Sequence, residues 1–309
     1  MSPMAPRIKE RLKNQMPVFF EKLRHTKSSL ALQWCSRPVH STGTRKNERK
    51  PRLIVSLTTY PARIHFVEQT IRSLFHQSLQ ADMVVLWLSE EQFPQKERCL
   101  PNTLLSLEKY GLAIEWCEDL KSYKKLIPSL QKYPNDIIVT ADDDVIYWSN
   151  WLKTLYTGHR LHPTAVVSHR CHKMTFDQQG NIQPYLQWRV CNNNQPPSFS
   201  NFFVGCSGVL YPPNSLYEPD IHNKSLFTDI APTADDVWFW AMSVLNRTPI
   251  LSCQRRKTTF TENPYVNQCD SLMVVNHNDG NDKQLHNVLA HYPQLKSMLE
   301  EEWSKRRML

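Results

Sequence analysis

The stretch that most limits what this chain can become is Ile137-Ile138-Val139-Thr140-Ala141-Asp142-Asp143-Asp144-Val145-Ile146-Tyr147. Its first four residues are uncharged and β-branched, as a strand buried on both faces requires. Three carboxylates follow without a break. They repel one another, and no core holds three such groups unpaired. The strand must therefore end there, open to solvent or to a cation. In an open α/β sheet, ligands bind at the carboxyl ends of the strands. In extended chain Asp142 and Asp144 point to one side and Asp143 to the other. Such a pair suits a divalent cation whose other positions are filled by phosphate oxygens. The competing role is capping of the next helix, for which Ser149-Asn150-Trp151-Leu152 supplies a start. One acid placed nearer Ser149 would meet that need.

The net charge of +8 is unevenly spread. Residues 1–52 hold 13 Lys/Arg against 3 Asp/Glu, and the remainder holds 24 against 26. The basic surplus thus belongs to the N-terminal segment, and nothing in the near-neutral body suggests nucleic-acid binding. Ile8–Leu23 reads as a basic amphipathic helix interrupted by Pro17, and 41–51 as a flexible basic linker. Two roles stand open for this segment: a patch for anionic lipid headgroups, or a solvated tail. The division expected is a basic segment and linker over 1–50 and one domain over 51–309.

Eight cysteines (35, 99, 117, 171, 191, 206, 253 and 269) show no CxxC spacing and lie mostly in apolar runs. They are expected to be buried free thiols in a reducing cytosol. No run reaches the ~20 apolar residues of a membrane span, and the first 30 residues lack the apolar core of a secretory signal. The expected location is cytoplasmic, peripheral on the inner membrane face.

Strand patterns fall at 52–59, 83–88, 112–116 and 137–140, and helical ones at 66–77, 123–132 and 151–161. This alternation predicts an α/β fold with a mostly parallel central sheet flanked by helices. Beyond it come a strand at 164–169, a hairpin turning at 177–181 and a polar loop over 191–201. A strand at 202–211 follows, then a helix at 237–245, two short strands within 246–275, and a helical end over 283–307 broken at Pro293.

Five blocks in order carry a resemblance over about Leu53–Leu289. They are Val55-Ser56-Leu57-Thr58-Thr59-Tyr60-Pro61-Ala62-Arg63, Lys124-Lys125-Leu126-Ile127-Pro128, Asp142-Asp143-Asp144, Gly205-Cys206-Ser207-Gly208-Val209-Leu210-Tyr211-Pro212 and Asp235-Asp236-Val237-Trp238. With them the chain resembles a GT-A-type glycosyltransferase of the family 2-like kind found in bacterial cell-surface glycan synthesis. The resemblance implies the GT-A (Rossmann-like, nucleotide-diphospho-sugar transferase) fold and an inverting, metal-dependent transfer from a nucleotide sugar. UDP is the expected nucleotide, and a glycan or lipid-linked hydroxyl, as in lipopolysaccharide or capsule, the expected acceptor.

The resemblance also implies roles. Asp144 and Asp142 would bind Mn²⁺ or Mg²⁺ in a DxD motif, with Asp143 uncertain in register and a late histidine, His277, as a further ligand. Thr58, Tyr60, Arg63, Lys124, Lys125, Asp142 and Asp143 would face the donor. A metal and a nearby lysine neutralise the charge that develops on a departing diphosphate. Gly205, Gly208 and Trp188 would line the acceptor side, where Trp188 and Tyr185 can stack on sugar rings. Asp236 would be the base, with Asp235 orienting it or the acceptor.

Simpler roles stand beside these: a turn at Tyr60-Pro61, surface charge for Arg63, a solvated lysine pair and a β-bulge at the glycines. Core packing accounts equally for Tyr185 and Trp188. Thr233-Ala234-Asp235-Asp236 also fits a capping box with Asp in place of Glu. The histidines at 159, 162, 169 and 172, with Cys171, match no standard zinc spacing. Two other functions compete: a metal-dependent nucleotidyltransferase or hydrolase, and a non-catalytic carbohydrate-binding module on the same fold. The first would favour a glycine-rich phosphate loop, which is missing, and the second a loss of the acids, which are intact.

Overall fold

The structure is a computed structural model of the full chain and describes residues 29–39, 43–45, 49–191, 195–253, 260–266 and 280–307. The amphipathic segment 8–23, His277 and Cys269 lie outside the described residues.

β1 (Leu53–Thr58), β2 (Met83–Ser89), β3 (Leu112–Cys117) and β4 (Ile137–Thr140) are parallel, paired β1 with β2, β2 with β3 and β1 with β4. β5 (Val145–Tyr147) follows the acids, and then come β6 (Val166–Ser168), β7 (Cys171–Lys173), β8 (Arg189–Val190) and β9 (Asn201–Phe203). β10 (Val209–Tyr211), β11 (Ile250–Ser252) and β12 (Phe260–Glu262) complete the set. The seven-stranded sheet runs β11-β6-β10-β4-β1-β2-β3, with β10 alone antiparallel to its neighbours. The chain is therefore a mixed α/β protein with a mostly parallel central sheet. Sequence order reverses direction between β1 and β4, and a crevice opens at the carboxyl ends of strands at such a point.

Alternation along the strands divides the core in two. Leu53, Val55 and Leu57 of β1 join Val84, Leu86 and Val139 on one face. Helix Val67–Phe75 covers that face with Val67, Ile71, Leu74 and Phe75, the i, i+4, i+7 stripe of an amphipathic helix, together with Trp151 and Leu155 of helix Trp151–Leu161. Ile54, Val85, Trp87 and Ile138 face the other side, beneath helices Asp235–Leu245 and Asn281–His291. Helix Asp235–Leu245 is apolar nearly all round, with Trp238, Phe239 and Trp240 fully buried, as a central helix must be.

Four expectations change in detail. The stretch 202–211 is two strands, not one: β9 pairs with β7 in a small second sheet, and β10 belongs to the main sheet. Between them Gly205–Ser207 forms a 3-10 turn and Gly208 has φ +97, a left-handed conformation that costs glycine little. Helix 123–132 is a 3-10 turn, Lys121–Lys125, followed by helix Ile127–Lys132, with Pro128 in its first turn. Two short helices, Glu218–Ile221 and Lys224–Ile230, occupy a stretch with no helical pattern. Cys99 is exposed rather than buried.

The described residues of 29–50 differ from the body in charge but touch it. Ala31 and Cys35 are buried with Ile146, the Gly43 N–H donates to the Tyr110 carbonyl, and Arg49 pairs with Asp82 at 2.8 Å. Among the described residues no helix is long and apolar enough to cross a membrane.

Candidate active site

The three acids leave β4 in a turn rather than in extended chain, so the alternation expected of Asp142, Asp143 and Asp144 does not hold. Asp143 and Asp144 face one cation and Asp142 another. Arg63 Nη1 lies 2.9 Å from Asp143 Oδ1 and 3.0 Å from Asp144 Oδ2. Lys125 Nζ lies 2.9 Å from Asp142 Oδ1. Asp143 is buried and carries the heaviest support. Thr59 Oγ1 donates to its Oδ2 at 2.6 Å, and Thr70 Oγ1 donates to its carbonyl at 2.9 Å. Burial raises the Asp143 carboxyl while Arg63 and Thr59 pull it back. Asp144 is pushed up to about 6 by burial and then by the charges of Asp142 and Asp143. The Asp142 N–H donates to the Tyr147 hydroxyl at 2.9 Å, and that hydroxyl donates to the Cys206 carbonyl at 3.2 Å. This links the acid turn to the glycine-bearing turn opposite.

Lys125 also reaches the second acid group. Its Nζ stands 3.0 Å from Asp235 Oδ2, an ion pair without an aligned hydrogen bond, since that oxygen has no hydrogen-bond donor. Burial works against the ammonium, yet Asp142 and then Asp235 hold Lys125 well above the usual lysine range. One buried cation thus joins the acids of β4 to those of helix Asp235–Leu245.

Asp236 is held differently. Its Oδ2 accepts the Gly205 N–H at 2.9 Å, and a Cβ built on Gly205 would stand 2.5 Å from its Oδ1. Only glycine lets the backbone come so close. Burial, and next the Asp235 charge, push the Asp236 carboxyl up to about 7, against the opposing pull of Lys125 and the Gly205 N–H. The capping-box contact does not form: Ala234 is the N-cap and no side chain caps the helix. Thr233 Oγ1 accepts from Gln284 Nε2 at 2.8 Å, and Gln284 Oε1 accepts the Thr233 and Ala234 N–H groups at 2.9 Å each. Gln284 thus holds the two residues before the helix, and the carboxylates turn elsewhere: Asp235 to Lys125 and Asp236 to the Gly205 N–H.

The other expected residues divide. Arg63 lies over the Tyr60 ring at 5.5 Å, which keeps both beside the acids. Thr58 instead donates to the Trp87 carbonyl at 2.8 Å, and its neighbour Thr59 is the one aimed at Asp143. Lys124 turns away to Asp119 at 2.6 Å and is fully buried there. Gly208 packs against the Trp151 indole, a Cβ there meeting it at 2.5 Å, so its role is to let β10 pass that ring. Trp188 is core: it is 8% exposed, its Nε1–H donates to the Gln183 carbonyl at 2.7 Å, and it packs edge-on to Phe202. Tyr185 is buried beside it. Sequence reasoning missed Thr59, Thr70 and Tyr147. The swap of Thr58 for Thr59 follows from strand alternation; no local signal marks Tyr147.

Among the described residues no group of three or more His, Cys, Asp and Glu converges as a metal cluster. The donor set still fits a hard divalent cation. Asp142 keeps one carboxylate oxygen clear of Lys125, and Asp144 still feels surplus negative charge after Arg63 has paired with it. Mg²⁺ and Mn²⁺ need only one or two protein carboxylates when phosphate and water complete the shell.

No family model matches the chain, and no curated protein matches it. Among solved structures it is similar to a mannosyltransferase from Pyrobaculum calidifontis in complex with GDP-Man and Mn²⁺. That likeness has a TM-score of 0.47 and 11% identity, and covers 97% of this chain and 87% of that one. It is also similar to S. aureus TarS 1–349 (TM-score 0.42, 15% identity, 68% of this chain and 60% of that one). The same TarS segment in complex with UDP-GlcNAc gives a TM-score of 0.39 at 15% identity, over 68% of this chain and 58% of that one. No residue role transfers across likenesses as loose as these.

Proposed function

We propose that this chain is an inverting glycosyltransferase that moves a sugar from a nucleoside-diphosphate donor to a glycan or lipid-linked hydroxyl. The observation that carries the reading is the pairing of two unlike acid groups across Lys125 at the β1/β4 crevice. One is a charge-gripping turn, Asp142–Asp144. The other is a carboxylate, Asp236, held at about 7. A general base works best with a pKa near the operating pH, which Asp236 has and an ordinary aspartate lacks.

In this reading the acceptor hydroxyl attacks the anomeric carbon on the face opposite the diphosphate. The bond from that carbon to the diphosphate oxygen breaks, the diphosphate leaves with the electron pair, and Asp236 takes the hydroxyl proton. Asp235, fixed by Lys125, orients the approach. Asp142 and Asp144 would hold Mn²⁺ or Mg²⁺, which supplies positive charge for the leaving diphosphate. Arg63 keeps Asp143 and Asp144 in place, and its stacking on Tyr60 brings an aromatic face to the donor side. Lipopolysaccharide or capsule synthesis at the cytoplasmic face of a membrane is the setting the sequence resemblance favours.

The test is thermal stabilisation of the full chain by UDP, GDP, UDP-GlcNAc and GDP-Man, each with and without Mn²⁺. One nucleotide series should raise Tm in a Mn²⁺-dependent way, at about 2.7 kcal/mol for ligand at a hundred times Kd, and Asp144→Ala should abolish the shift. No shift with any nucleotide, or an equal shift in Asp144→Ala, would overturn the reading.

A further inference from the structure

The amino ends of the parallel strands, away from the acid crevice, carry a second feature. A cavity of about 540 Å³ lies where the described residues of 29–49 meet the end of helix Val67–Phe75, lined among others by Trp34, Arg37, Arg45, Arg49, Phe75 and His76. None of its described lining residues is acidic. The segment that brings the arginines is pinned to the body. The Arg45 N–H donates to the Ala81 carbonyl at 2.8 Å, and Gly43 sits so close to the Phe75 ring that a Cβ would stand 2.4 Å from it. Trp34 packs on the His76 ring, with centroids 5.4 Å apart.

A helix carboxyl end attracts cations, and that is the ordinary reason for arginines here. Arg49 instead has a local set of partners, the Gln80 carbonyl at 2.9 Å and Asp82 at 2.8 Å. Arg37 and Arg45 do not share in it. Among the described residues neither side chain has a hydrogen bond or ion pair, although both line the same cavity. Like charges so placed repel unless an anion lies between them. The planar guanidinium fork is the side chain best matched to phosphate oxygens.

We infer that this cavity binds a phosphate-bearing anion between Arg37 and Arg45, with Arg49 and His76 completing its wall. The ligand is either a free phosphate compound or the headgroup of an anionic lipid, and in both cases the site is separate from the acid crevice. The inference stands whether or not the transferase reading does.

The full chain is tested with two probes. One is inorganic phosphate, read by calorimetry against sodium chloride of equal ionic strength. The other is flotation with vesicles of phosphatidylglycerol in phosphatidylcholine, against phosphatidylcholine alone. Arg37→Ala/Arg45→Ala changes two exposed side chains, and Asp144→Ala serves as the control for the acid crevice. One probe should bind, and the double variant should weaken it about thirtyfold, the equivalent of about 1 kcal/mol for each arginine. Phosphate binding would identify a soluble ligand, and vesicle binding alone a lipid headgroup. If neither probe binds, if the double variant binds as the wild type does, or if Asp144→Ala removes the binding, the inference fails.

Discussion

The acids at 142–144 and those at 235–236 meet at Lys125 but are neutralised in different ways. In the first group each carboxylate has a cation within about a hydrogen bond's length: Arg63 shared by Asp143 and Asp144, and Lys125 for Asp142. In the second, Asp235 shares Lys125, whereas Asp236 has a backbone N–H and, among the described residues, no cation within salt-bridge reach. The difference separates two kinds of chemistry. A group held by fixed positive charge is placed to grip charge. A desolvated carboxylate beside a like charge exchanges a proton near neutrality.

The largest expected effect breaks the comparison at Asp236. Asp236→Asn keeps the shape and an acceptor for the Gly205 N–H but removes the proton site. Transfer should fall about 10²–10⁴-fold with donor affinity unchanged. The same change should stabilise the fold. A carboxyl raised in the folded state to about 7 contributes stability that is full below its unfolded pKa near 3.8 and is lost as pH rises through 7. Asp236→Asn should therefore gain stability over the wild type at pH 8, by roughly 2–4 kcal/mol, and the gap should close toward pH 4. Denaturant melts across that range check it. Wild-type transfer, or a gap that widens in acid, would make Asp236 a structural carboxylate.

Next is the shared cation. Lys125→Met leaves Asp142 and Asp235 facing each other with no charge between them. Removing one partner of a buried ion pair costs about 3–5 kcal/mol. Adding Asp235→Asn should recover a good part of that, because the remaining acid then faces a neutral amide. A double-mutant cycle in urea measures the coupling. If the second change recovers nothing, Lys125 serves Asp142 alone and the two acid groups are independent.

How much of this was legible follows the same divide. Charge-free β-branched runs betray parallel strands, and an acid triplet at a strand end has few structural uses, so the sheet and the first group are readable. Lys124 and Lys125 are adjacent, and only the 3-10 turn that carries them decides which faces the acids and which Asp119. The second group hides behind a capping pattern. What settles it is Gln284, about fifty residues away, whose amide serves the helix entrance and leaves Asp236 to Gly205. Long-range contacts of this kind leave no local trace.

Gly205→Ala sharpens the comparison without touching a charge. The new methyl would stand 2.5 Å from Asp236 Oδ1, so the carboxylate must swing away or the turn must open. Misplacing a reacting group by about 1 Å costs on the order of 10²-fold in rate. The loss should appear in kcat, with the nucleotide-dependent Tm shift intact, since Asp142, Asp144 and Arg63 lie on other elements. A loss of nucleotide binding instead would mean that the Gly205 turn belongs to the donor side.

The smallest effect concerns Trp188, for which the sequence left an acceptor-side role and core packing both open. Its indole is buried against Phe202 and Tyr185, and its N–H is spent on the Gln183 carbonyl. Trp188→Phe keeps most of the apolar contact and removes that hydrogen bond, so stability should fall by about 1 kcal/mol while kcat and acceptor KM stay within twofold, which is about 0.4 kcal/mol. A sugar platform behaves in the opposite way: acceptor KM rises and stability hardly moves. Leu186, exposed at 69% two residues earlier, supplies the contrast on the same turn. If Leu186→Ala raises acceptor KM while Trp188→Phe does not, the acceptor meets the outer face of this turn, and the buried tryptophan only fixes where that face lies.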